Sequence, residues 1–70
     1  QWLMVFFDVP EEQRKTRDLL RRELRSLGFQ SVQKSVWVTR QAVGKPLQEL
    51  ISLLQVRRFV KPLVVRALPR

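Results

Sequence analysis

The chain has no cysteine, no histidine and no tyrosine, only two glycines, and only six acidic residues in 70. Without cysteine there is no disulfide framework, and with histidine missing as well the usual zinc ligands are gone. Nor is there an imidazole for acid–base work or a nucleophilic triad, so most familiar enzyme mechanisms drop out. No apolar run approaches the roughly 20 residues that span a bilayer, and the opening QWLMVFFDVP carries neither a basic region nor a small-residue cleavage site. The expectation is a soluble, cytoplasmic chain with no membrane partner, and the missing thiols suit a reducing compartment. Seventy residues make one domain at most, spanning 1–70, with a small core.

What is present is apolar and basic. Hydrophobic residues at 44% argue for a folded domain despite 29% charge. Fourteen Lys and Arg against six Asp and Glu give a net charge of +8, which points to polyanionic partners, nucleic acid ahead of a membrane surface. The excess is lopsided: +7 of the +8 lies from Lys34 onward, in Lys34, Arg40, Lys45, Arg57, Arg58, Lys61, Arg66 and Arg70 against Glu49 alone. Arginine outnumbers lysine, and its planar fork suits phosphate oxygens. A solvated basic surface is the plainer account of the same charges.

Periodicity predicts six elements. Residues Trp2 to Phe7 form an apolar run stopped by Asp8, Val9 and Pro10, which favours a strand. Pro10 to Leu27 reads as a helix, with Glu11 and Glu12 at the positive end of its dipole and Gly28 as its stop. Thr16, Leu20, Leu24 and Leu27 fall on one face of it, while Arg14, Arg17, Arg21 and Arg25 stack along another beside Lys15 and Arg22. Asp18 has Arg14 and Arg22 four positions to either side, so part of this stripe is expected to be internally paired. Two short strands follow, Phe29 to Lys34 and Ser35 to Arg40, joined by a bulge, a short turn or a bend. Gly44, Lys45 and Pro46 open a second helix with Leu47, Leu50, Ile51 and Leu54 on its inner face, and a last strand runs within Phe59 to Leu68, ended by Pro69.

The order βαββαβ predicts an α+β, ferredoxin-like fold, an antiparallel sheet with two helices on one face. Two helices cover only that face. The first strand is nevertheless apolar on both parities, Trp2, Met4 and Phe6 as much as Leu3, Val5 and Phe7, and a second copy of the chain is the economical cover for the other side. Shielding of the strand by its own loops is the alternative. Trp2 and Trp37 are read as core or interface rather than as platforms for unpaired bases.

Three segments, FFDVPEE, LRSLGF and VQKSVWV, together resemble the CRISPR-associated protein 2 family (Cas 2) and, at least as closely, the Cas-2-like domain of PaaX-type transcriptional repressors. The resemblance covers about residues 2 to 40; beyond them only the order of elements matches. It implies a ferredoxin-like homodimer on double-stranded DNA. On the first family it implies a scaffold for spacer integration alongside a CRISPR integrase, with a metal-dependent endonuclease activity described for some members at the aspartate that ends the first strand, here Asp8. The sequence leaves little room after its fourth strand for the further strand such dimers commonly exchange. A winged-helix domain, which the repressor reading requires, is not in it, so the stand-alone Cas-2-like protein is favoured and a dimerisation or regulatory domain of a repressor is the alternative. A small RNA-binding protein ranks last, lacking the aromatic-glycine motif of RRM strands.

Asp8 has two readings. Magnesium is commonly held by one or two carboxylates plus waters, so two copies of Asp8 at a dimer axis would make a catalytic Mg²⁺ site where one would not. Otherwise Asp8 accepts backbone N–H bonds at the helix entry and holds no metal. Ser31, Ser35 and Ser52 have no evident base to activate them, so any hydrolysis would need metal-bound water. The nucleic-acid contacts are expected from Arg14, Arg17, Arg21 and Arg25 on the first helix and from Lys34, Arg40, Arg57, Arg58, Lys61 and Arg66 beyond it.

Overall fold

The computed structural model describes residues 1–66. The expected order is present: β1 (Trp2–Phe7), a 3₁₀ turn (Glu11–Gln13) leading into α1 (Arg14–Ser26), β2 (Gln30–Gln33), β3 (Val36–Thr39), α2 (Gly44–Leu54), a second 3₁₀ turn (Arg57–Phe59) and β4 (Val60–Val65). The four strands form one antiparallel sheet in the order β2-β3-β1-β4, the ferredoxin-like α+β arrangement. The first helix begins four residues later than the periodicity predicts, because Pro10 and the acidic pair go into the tighter turn instead. The last strand is shorter than its apolar run, and Leu68, Pro69 and Arg70 lie outside the described residues.

Both helices pack on the same face of the sheet. Val5, Phe7, Trp37 and Val60 from the strands meet Leu20 and Leu24 of α1 and Leu47, Leu50 and Ile51 of α2 in one core, with Leu3, Leu27 and Leu54 half-buried at its margin. Each helix ends in the same way. Gly28, at φ +96°, donates to Arg25 O at 3.0 Å while Phe29 N–H donates to Leu24 O at 3.0 Å, a Schellman closure that brings two core residues together. At the end of α2, Gln55 takes the left-handed position at φ 56°, and Val56 N–H donates to Ile51 O at 3.2 Å.

The connection between β2 and β3 combines two of the predicted options, a two-residue turn at Lys34–Ser35 and a bulge between Ser31 and Gln33 that leaves Val32 exposed. β2 is thus a short, polar, exposed edge. On the other edge Pro62 sits in register with Val5 yet has no N–H, so its nitrogen belongs on the solvent side and no rung of the sheet is lost.

Antiparallel partners share a face, so the register sorts the remaining apolar residues. Trp2, Met4 and Phe6 stand on the helix-free face together with Val36 and Val38 of β3 and Leu63 and Val65 of β4. Met4 and Val38 at its centre are closed over by their neighbours, while Phe6 is 38% and Leu63 44% exposed. This face has no helix above it.

Candidate functional site

The antiparallel layout collects cations at the two ends of the sheet. At the end where β1 stops, Phe7 N–H donates to Ser35 O at 3.0 Å and Asp8 N–H to Phe59 O at 2.9 Å, which ties the Lys34–Ser35 turn and the Arg57–Phe59 turn to the same strand end. Lys34, Arg57, Arg58 and Lys61 therefore stand at the same end of the sheet as Asp8, all exposed. Arg40 and Arg66 stand at the other end, where β3 and β4 finish beside the start of β1, and Lys45 is in the first turn of α2. Six strand residues at roughly 3.3 Å each separate the two groups by about 17–20 Å.

Several of the expected contact residues turn out to be engaged within the domain. Arg17 Nη1 donates to Glu11 Oε2 at 3.4 Å and its Nε lies 3.7 Å from Asp18 Oδ1; Arg21 Nη1 lies 3.9 Å from the same oxygen. The expected pairing of Asp18 with Arg14 and Arg22 is therefore corrected: the i−1 and i+3 neighbours take it, since their half-buried side chains are already held against the domain. Arg21 also stacks over Phe7 at 5.9 Å and Arg25 over Trp37 at 4.9 Å, so the basic stripe of α1 folds down over the aromatic rim of the core. Arg40 covers Trp2 at 5.1 Å. Trp37 is buried and satisfies its indole N–H on the Lys34 carbonyl at 3.1 Å. On α1, that leaves Arg14, Lys15 and Arg22 as fully outward cations.

Around Asp8 lies an open groove of about 440 Å³ with Phe6, Phe59 and Ser35 in its wall and Arg57, Arg58 and Lys61 along its rim. Arg58 lies over the Phe59 ring at 5.6 Å, and Arg57 Nη2 donates to Ser52 Oγ at 3.0 Å, which fixes both side chains at the groove's margin. Among the described residues the Asp8 carboxylate accepts no hydrogen bond and joins no ion pair, so the helix-entry role is not realised; the 3₁₀ turn and α1 both start without a side-chain cap. No group of three acidic, histidine or cysteine side chains occurs among the described residues. One exposed carboxylate in a groove lined by three cations is a poor donor set for a magnesium ion, and a second copy would add three more cations with its carboxylate, six against two in all. The residues present within the domain do not fit the ion, and no chemical step is derived through it.

The family model of the PaaX protein central Cas2-like domain matches residues 1–69. The chain belongs to this family. A search of curated proteins finds no match. Of the two families that the sequence resembles, the PaaX-type domain is the one matched, and the match extends the likeness from the first 40 residues to nearly the whole chain. No described helix of this PaaX-type domain is long and apolar enough to cross a membrane. Sequence reasoning missed the aromatic partners of Arg21, Arg25 and Arg40 and the groove beside Asp8. The groove's one sequence signal is Phe6, an aromatic on the strand parity that faces away from the helices.

Proposed function

We propose that this domain is the self-association and regulatory module of a PaaX-type transcriptional repressor, pairing with a second copy across the helix-free sheet face and adding sequence-independent contacts to duplex DNA. The observation that carries the reading is the apolar face formed by Phe6, Leu63, Val36 and Val65 around Met4 and Val38, with no element of the described residues above it. Contiguous apolar surface of this kind marks an interface far more often than bare surface. The family match supports a repressor rather than a spacer-integration scaffold, and no residue of the groove calls for an integrase.

DNA contact is assigned to exposed cations: Lys34, Arg57, Arg58 and Lys61 at one end of the sheet, Lys45, Arg66 and the Trp2-stacked but exposed Arg40 at the other, and Arg14 and Arg22 on α1. These residues suit phosphate oxygens, which position a protein on DNA without reading its sequence. Sedimentation equilibrium is the direct test of the pairing. The chain should weigh about twice its monomer mass at micromolar concentration, and Phe6→Glu, placing a charge on the exposed part of this apolar face, should leave a folded monomer. A monomeric parent chain overturns the reading.

A further inference from the structure

We infer that the Asp8 groove is an oxyanion site whose ligand is a phosphate ester, the opposite polarity from a divalent-cation site. Three cationic side chains converge on it from one short stretch, Arg57, Arg58 and Lys61, and a single carboxylate opposes them. Arg58 is held over the Phe59 ring with part of its conformational freedom already lost, while the Arg57 guanidinium is tied to Ser52 of α2, outside the groove lining, and adds its charge from the margin. Phe6 and Phe59 make the wall apolar on either side of the charges, which lowers the local dielectric and strengthens attraction for an anion. A guanidinium fork matches the spacing of two phosphate oxygens, and the lysine adds a third donor. The groove is built from one protomer, but its Phe6 and Lys61 also stand on the helix-free face, so the inference rests on the phosphate contact proposed above, and sedimentation of each variant beside its titration separates loss of the pair from loss of the site.

Asp8 gives the inference its sharpest consequence. In a metal site it is the essential ligand; in an oxyanion site it is the one group that repels the ligand. Calorimetric titration of the chain with inorganic pyrophosphate at low salt, and separately with magnesium, distinguishes the two. Asp8→Asn should tighten pyrophosphate binding about two- to fivefold, whereas Arg58→Gln and Lys61→Gln should each weaken it about three- to tenfold. Lys15→Gln, which removes an outward cation of α1 that is assigned no DNA contact, should leave it unchanged, which separates a local site from the attraction of the whole +8 surface. The same variants measured on a short duplex identify the source of the phosphate. Parallel loss of duplex binding, with competition by pyrophosphate, assigns the groove to the nucleic-acid backbone; loss of pyrophosphate binding alone assigns it to a free phosphate ester. Weaker pyrophosphate binding in Asp8→Asn, equal loss in the α1 variant, or magnesium binding that disappears in Asp8→Asn overturns the inference.

Discussion

Single residues here are often held by a partner that their chemistry alone does not announce. Arg21 and Arg25 read as solvent-facing charges on a helical wheel, yet they roof Phe7 and Trp37, and their aliphatic stems cover apolar surface as much as their heads carry charge. Replacing Arg25 by Glu should therefore lower stability by about 1 kcal/mol and shift Trp37 emission, an effect larger than an exposed charge reversal would give. Gly28 is the other residue whose identity matters locally. At φ +96° a side chain is strained, and a Cβ there would lie 3.2 Å from Gln41 Cγ. Gly28→Ala should cost about 1–2 kcal/mol, read as a lower midpoint in urea. Gln55 holds the equivalent place after α2 at φ 56°, so Gln55→Gly should raise stability by about 0.5–1 kcal/mol in the same assay.

At the level of elements, a charge on the buried face of α1 should be decisive. Leu24 is fully buried between the helix and the sheet, and Leu24→Asp, an unpaired buried charge worth several kcal/mol against a total of about 5–10, should abolish the cooperative thermal transition. This face was legible from sequence because leucines at helical spacing have few other uses, and β1 was legible to its last residue because Asp8 and Pro10 end it. The start of α1 was not legible: Pro10, Glu11 and Glu12 satisfy both an α-helical first turn and a 3₁₀ turn, and with Glu11 to Gln13 all exposed no buried face selects between them. β2 gave a weak signal for a physical reason, since all four of its residues are exposed and no buried face imposes alternation. The Asp8 groove was hidden for a related reason. It joins residues far apart in sequence, Asp8 and Arg57 to Lys61, through the antiparallel pairing of β1 with β4 and the backbone bond from Asp8 N–H to Phe59 O, and composition carries no trace of such a juxtaposition.

For the whole molecule the charge and the apolar face make separate demands on an experiment. Duplex binding should follow counterion release, with log K falling against log salt at a slope of about −0.9 per phosphate, so that about four neutralised phosphates give roughly −3.6. Filter binding or anisotropy between low and physiological salt measures it, and a flat profile would leave the basic ends as mere solubilising surface. The two edges of the sheet have a further consequence. β2 is bulged and polar, and β4 lacks one outward donor at Pro62, so neither offers a complete row of hydrogen-bonding groups to a neighbour. Growth along the hydrogen-bonding direction, the route by which small sheets polymerise, is blocked at both sides, and the exposed apolar surface lies on a face that a single mate can cap. With the pairing proposed above, association should end at a closed pair and not in a filament, and concentrated solutions should scatter light as a finite particle without seeding fibres.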